Sequence, residues 1–322
     1  MKYDCNKLNL DNCSVRMGTV EDANKILELI KLIQPEEPWS YEHLMWQYFS
    51  SWGNANLYLI ENNERLVSLY AAVKKKIYVH GEIKEAFMIQ DVMTQPALRG
   101  RGFLNHLGKL CINDIVDGKS FAYVFPNKFS ENSFRRNGWL ELTKIPLRTM
   151  EITSNGENFK TPEGLVDRIE EFDDTATRIW HNSGLEIGVH RDDLFLNWRY
   201  SKPATTYFKF YLKKDKGFFI LKIFEKDNQK KLHILDLVVC ITAKNLIIPA
   251  LQFIKQFAAT NSANVITCWL SKQHPYSDLF DEFGLLLDAN TEKFAFVVSP
   301  ENKKEFSDVN RWHLTQGDSD VY

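Results

Sequence analysis

The chain has 322 residues, 44% hydrophobic and 13% aromatic, more than one typical domain requires and enough for two packed cores. A formal net charge of −2 gives no electrostatic reason to expect nucleic acid or an anionic membrane surface as partner. Apolar runs such as Leu235 to Ile241 are too short to span a bilayer. Met1-Lys2-Tyr3-Asp4-Cys5 is no signal peptide, and Cys5, Cys13, Cys111, Cys240 and Cys268 lack metal or redox spacing. The expectation is a cytoplasmic α/β protein with buried free thiols, no metal and no membrane insertion.

In chain order, the pattern predicts helices over Val20–Ile33 and Tyr41–Phe49, then strands at Asn56–Glu61, Arg65–Val73 and Ile77–His80. A strand carrying Asp91 follows, then a Gly-Arg turn and a helix through Leu107, Leu110, Cys111 and Ile115. Next come a strand at Phe121–Phe125, a Pro126-Asn127 break and a short helix closed by Gly138. A strand at Leu147–Ile152 is expected to close the first sheet, and residues 153–165 have linker composition. The second half repeats the plan. Strands are expected at Thr206–Leu212, Gly217–Phe224 and Lys231–Cys240, a helix over Ala243–Thr260, a strand at Ala263–Leu270, a helix over Tyr276–Phe283 and a strand at Phe294–Val298. Ile89-Gln90-Asp91-Val92-Met93 is echoed by Ile234-Leu235-Asp236-Leu237-Val238, but Thr242-Ala243-Lys244 then replaces the Gly-Arg turn. The boundaries drawn are a first domain over 1–152, a linker with connecting helices over 153–200, and a second domain over 201–322.

The most informative stretch is Pro96-Ala97-Leu98-Arg99-Gly100-Arg101-Gly102-Phe103. A strand ending in such a turn aims backbone N–H groups at the start of a helix, where they attract anions. Gly100 and Gly102 let a phosphate approach the main chain, and Arg99 and Arg101 can pair with it, which reads as a pyrophosphate cradle. The turn lacks the Lys-Ser/Thr of a P-loop and the third glycine of the dinucleotide fingerprint.

Here the chain resembles the GCN5-related N-acetyltransferase (GNAT) family. Pro96-x-x-Arg99-Gly100-x-Gly102 resembles the family's loop for the acyl-CoA pyrophosphate, Pro126-Asn127 through Gly138-Trp139 its next strand–helix block, and Val15-Arg16 with Thr19-x-Glu21-Asp22 its first strand and helix, over about residues 14–145. Leu104 departs from the small residue usual there. The resemblance implies two GNAT-like mixed sheets flanked by helices, the second degenerate, with acyl-CoA as co-substrate held by Met93, Thr94, Arg99, Gly100, Arg101, Gly102, Phe103, Asn127 and Ser130. It implies that a main-chain N–H near Met93–Thr94 polarises the thioester and that Asn127 bonds the pantetheine arm; Asn127 also suits a helix N-cap.

Acyl transfer to an amine needs an oxyanion donor and a base, and no covalent enzyme intermediate. Asp91, on an apolar central strand, is the leading base; pairing with a basic residue or capping a turn is the other account of such a carboxylate. His80 and His190 are the alternative bases. The family's acid Tyr is missing after Pro126-Asn127, so the general acid is unassigned. Trp198, Arg199 and Tyr200 suit stacking on a planar ring and pairing with phosphate, or packing at a helix end. This phrase and the last residues, with Asp318 and Asp320, resemble bacterial two-half GNAT proteins tied to surface polysaccharide. The expected acceptor is thus a nucleotide-linked amino sugar, in a pocket shaped by the second half and Trp312–Tyr322. A FemABX-type aminoacyl transferase and a non-catalytic acyl-CoA binder are the rival readings.

Overall fold

The computed structural model describes residues 13–50, 52–117, 120–152, 161–226, 229–298 and 303–322. In chain order the elements are β1 (Cys13–Met17), α1 (Ala23–Ile33), α2 (Tyr41–Tyr48), β2 (Ala55–Asn62), β3 (Arg65–Val79), β4 (Glu82–Thr94), α3 (Phe103–Asp117), β5 (Phe121–Val124), α4 (Glu131–Arg136), β6 (Leu140–Glu151) and β7 (Val166–Ile169). They continue as α5 (Asp174–His181), β8 (Ile187–Val189), α6 (Asp193–Arg199), β9 (Phe208–Leu212), β10 (Gly217–Lys226), β11 (Gln229–Val239), α7 (Ile247–Thr260), β12 (Val265–Trp269), α8 (Ser277–Phe283), β13 (Leu286–Val298), α9 (Lys303–Phe306) and β14 (Trp312–His313). The chain forms two compact units. The first holds residues up to Lys76, Lys84–Thr143 and Lys293–Ser307; the second holds Ile77–Ile83, Lys144–Glu292 and Asp308–Tyr322.

In the first unit the strand order is β1-β2-β3-β4-β5-β13. Alternation along β2 sends Leu57 and Leu59 to one face and Tyr58 and Ile60 to the other. The first face packs Ile26, Leu29 and Ile30 of α1 with Leu44 and Tyr48 of α2; the second packs Phe103, Leu107 and Cys111 of α3 with Phe134 and Trp139. The start of α1 is fixed by Asp22, which accepts two 2.7 Å bonds from the Arg16 guanidinium and one from the Thr19 amide. β3 and β4 are joined by the two-residue turn His80-Gly81, both with positive φ (48° and 96°). β4 and β5 are parallel, connected through α3.

The second unit has the strand order β6-β12-β11-β10-β9-β7. β11 and β12 are parallel with α7 between them in sequence, the same strand–helix–strand plan as β4-α3-β5. The echoed phrase marks irregular backbone in both. Asp91 has φ 48°, and the β10–β11 register slips by one residue at Ile220/Leu221, opposite Leu235. Asp236 is buried and accepts from Arg191 Nε at 2.9 Å, while Arg191 Nη2 donates to both oxygens of Asp318 at 2.9 Å. His313 Nε2 lies 3.1 Å from Asp236. Asp318 and His313 thereby latch residues 312–322 to Arg191 and Asp236.

Three expectations change. Leu147–Glu151 does not close the first sheet, but pairs with β12 in the second unit. Ala295–Val298 closes it instead, antiparallel to Phe121–Val124. The run Phe294–Val298 is apolar and buried on both faces, which suits a covered strand, whereas Leu147–Glu151 carries Arg148, Thr149 and Glu151. Finally, residues 166–200 are not connecting helices alone: with β7 and β8 beside α5 and α6 they lie within the second unit, and 153–160 lie outside the described residues.

Burial would raise the Asp236 carboxyl, but Arg191 and His313 outweigh it and hold it below the ordinary carboxylate value. Its contribution is therefore complete above the unfolded pKa of about 3.9 and is lost as the pH falls through the lower folded value. Asp318→Ala, which leaves Arg191 one carboxylate of two, is expected to cost about 3–5 kcal/mol in urea unfolding. A loss below about 1 kcal/mol would show that the latch does not hold the unit together.

Candidate active site in the first unit

β4 and β5 stay in register only from Ala86↔Phe121 to Ile89↔Val124. β5 ends there, and β4 continues to Thr94. The Gln95 amide bonds Val67 O on β3 at 2.9 Å, and the Met93 carbonyl accepts from Ser68 Oγ at 2.8 Å. Strand alternation therefore turns the main-chain polar groups of Thr94 to the other side, where the β5 pairing has stopped.

Beyond Thr94 the main chain makes one turn over Pro96–Leu98 and then reverses through Gly100 (φ 79°) and Gly102 (φ 83°) into α3. A Cβ at either glycine meets no atom within 4 Å, so the space before the turn is open. Phe103 is buried and anchors the helix start. The first turn of α3 thus presents N–H groups unmet by a preceding turn, as an anion site requires. Arg101 is exposed, and Arg99 Nε bonds Thr94 O at 3.3 Å, tying the turn to the strand end. Leu104, the departure from the family pattern, packs against the core beneath the turn.

Asp91 lies just past the last β4–β5 pair. Its Oδ2 accepts from Tyr48 O–H at 2.5 Å, and Gln90 Nε2 lies at 3.4 Å. The side chain is half-buried. Tyr48 is fully buried on α2, so it fixes where the carboxylate points. Asn127 Oδ1 accepts from the Phe129 and Ser130 amides at 3.0 and 3.1 Å and from Ser130 Oγ at 3.2 Å, which closes the turn ahead of α4, while the N-cap residue of that helix is Ser130. Ser133 Oγ donates to Asn105 Oδ1 at 2.7 Å, bringing α4 beside the first turn of α3.

The structure brings together Asp91, Met93, Thr94, Arg99, Gly100, Arg101, Gly102 and Phe103 along one strand–turn–helix. His80 and His190 are not part of it; both belong to the second unit. His80 sits at the turn that opens β4, near Glu186 and Arg311. His190 is buried, with Nδ1 3.2 Å from Asp192 and Nε2 3.4 Å from His181. Arg199 is not available to a phosphate. It is buried, and its guanidinium donates to main-chain oxygens of Gly317, Ser319 and Tyr322 at 2.6–2.9 Å. Tyr200 is buried as well, and Asp318 is spent on Arg191. Trp198 and Asp320 keep partial exposure; Trp198 packs on Phe195, and burial pushes the Asp320 carboxyl up. Sequence reasoning missed Tyr48 and Ser68, the two hydroxyls that set the strand end. Ser68 carries a signal, as a polar residue inside the apolar run Leu66–Val73; Tyr48 carries none.

Among the described residues no group of three or more His, Cys, Asp or Glu is placed to hold a metal, and no helix is long and apolar enough to cross a membrane. Cys13, Cys111, Cys240 and Cys268 are free thiols, while Cys5 lies outside the described residues.

Residues 14–141, fewer than half of the chain, match the acetyltransferase (GNAT) domain family model, a match that supports an N-acyltransferase. No curated protein matches the chain. Solved structures share the fold. A probable N-acyltransferase from Enterococcus faecalis V583 is 16% identical, covering 89% of this chain and 72% of its own, with a TM-score of 0.70. A GCN5-related N-acetyltransferase from Anabaena variabilis is 13% identical over 89% and 72%, TM-score 0.66. Saccharomyces cerevisiae N-myristoyltransferase with bound myristoyl-CoA is 10% identical over 90% and 80%, TM-score 0.61. A GNAT domain implies an acyl-CoA donor and an acceptor substrate.

Gly100→Ala and Gly102→Ala, each forcing a Cβ onto left-handed backbone, are expected to cost about 1–2 kcal/mol and to reduce the rise in melting temperature on adding CoA. Full retention of that rise in both variants would show that the turn does not grip the coenzyme.

Proposed function

We propose that the chain transfers an acyl group directly from acyl-CoA to the amine of a nucleotide-linked amino sugar, in a ternary complex. The observation that carries the donor half is the open glycine turn between the unpaired end of β4 and the first turn of α3. In this reading the α3 amides, with Arg99 and Arg101, hold the diphosphate, and the pantetheine arm lies along the gap that β5 leaves beside Val92–Thr94. The Thr94 N–H meets the thioester oxygen as negative charge develops there. Asp91 takes the proton from the acceptor ammonium, with Tyr48 orienting the carboxylate through its Oδ2. The amine nitrogen then attacks the carbonyl carbon, the C–S bond breaks, and CoA leaves as the thiol once protonated. An acyl chain of acetyl or 3-hydroxybutanoyl size and a surface-glycan role follow from the resemblance of Asp193–Pro203 and Trp312–Tyr322.

An NDP-linked amino sugar mixed with acyl-CoA and the protein is expected to release free thiol, read by a disulfide reagent. Asp91→Asn is expected to lower kcat by about 10²–10⁴ with little change in CoA affinity. Arg99→Ala combined with Arg101→Ala is expected to do the reverse, shrinking the CoA-dependent shift in melting temperature. No thiol release across a panel of such sugars would end the acceptor assignment, and an Asp91→Asn variant of wild-type rate would end that of the base.

A further inference from the structure

One face of the second unit's sheet carries a row of polar side chains where a core would place apolar ones. Cross-strand pairing aligns Thr149 (β6), Thr267 (β12), His233 (β11) and Lys222 (β10), and the next row holds Glu151, Val265, Lys231 and Phe224. His233 is buried, and its Nδ1 lies 2.6 Å from Thr267 Oγ1, which also accepts from Gln316 Nε2 at 3.3 Å. Lys222 and Lys231 flank the ring on the same face. Neither ammonium has a hydrogen bond or ion pair to another described residue; Lys222 only lies over the Tyr207 ring at 6.0 Å. Burial, with Lys202 and Arg199 beside it, lowers the Lys222 ammonium to about 8, and burial with the two lysines lowers His233 to about 4. Asp320, whose carboxyl faces Lys202 and Arg199, is raised by burial and accepts from Ser319 Oγ, and the carboxylates that share a cavity with Lys231 are Glu151 and Asp288. A polar cavity of about 490 Å³ opens beside the row, lined by Lys231, Thr149, Thr267, Glu151 and Asn264.

Two unpaired ammoniums on one sheet face repel each other and lack an anion. From this juxtaposition we infer that Lys222 and Lys231 bind a phosphoryl group over the His233 ring, with the hydroxylated part of the same ligand in the adjoining cavity. With the Thr267 hydroxyl donating to Nδ1, His233 Nε2–H is a third donor to the phosphoryl oxygens. Thr149 and Glu151 suit hydroxyl or ammonium groups of a sugar, and the cavity is of a size that small ligands fill. The inference rests on the function proposed above only in assigning the phosphate to the acceptor rather than to CoA.

The test is calorimetric titration of the full chain with inorganic pyrophosphate, UDP and CoA, together with mass-spectrometric mapping of lysine acetylation by acetic anhydride. Pyrophosphate and UDP are expected to bind and to slow labelling at Lys222 and Lys231. Lys222→Met with Lys231→Met should weaken both by at least about tenfold while leaving CoA affinity within about twofold, and Lys222→Arg should retain binding. Unprotected lysines in the wild-type chain, or unchanged affinities in the double variant, would overturn the site; labelling of the wild-type chain decides the matter even if that variant does not fold. Protection by CoA and not by UDP would overturn the acceptor assignment. Phosphate binding that persists while no amino sugar releases thiol would sink the proposed acceptor and leave this site standing.

Discussion

Everything in the first unit follows from one strand outrunning its neighbour. β4 keeps its bonds to β3 as far as Gln95, but β5 stops at Val124, so the last residues of β4 have a polar edge without a strand to meet it. Such an edge is costly in a core and useful at a site. The left-handed backbone at Asp91 falls at the same point, next to the place where the pairing ends. From there the main chain can only turn, and the two glycines let it turn tightly enough to start a helix with its amides facing outward.

The second unit shows what the same plan becomes without that turn. β11, α7 and β12 repeat β4, α3 and β5, and Asp236 stands where the echoed phrase places Asp91. Asp91 stays half-buried under a tyrosine hydroxyl, whereas Asp236 is sealed in with Arg191, Asp318 and His313. Arg191 and Arg199 hold residues 312–322 through ion pairs and carbonyls. The same position in the echoed phrase is thus half-buried in one unit and locked into an ion-pair network in the other.

The strand–turn–helix was legible because glycine and arginine have few other reasons to alternate just before an apolar helix, and the periodicity of α3 is unambiguous. The buried arginines were not legible, because sequence cannot tell a guanidinium facing solvent from one facing main-chain oxygens; Arg199 looks the same in both settings. Lys222 is hidden for a related reason. A single lysine in the run Phe218–Ile223 reads as an edge residue until strand pairing sets it opposite His233. The fate of Leu147–Ile152 was hidden as well, since register is decided by partners remote in the chain.

The placement of β13 bears on how the protein comes to be made. The strand that covers the outer edge of β5 lies about 170 residues downstream of it, beyond most of the second unit. During synthesis, Phe121–Val124 must wait with an uncovered apolar edge while the ribosome delivers that intervening stretch. The first unit's sheet is therefore complete only late in translation, and a fragment cut after β6 would carry an adhesive border in place of a finished sheet.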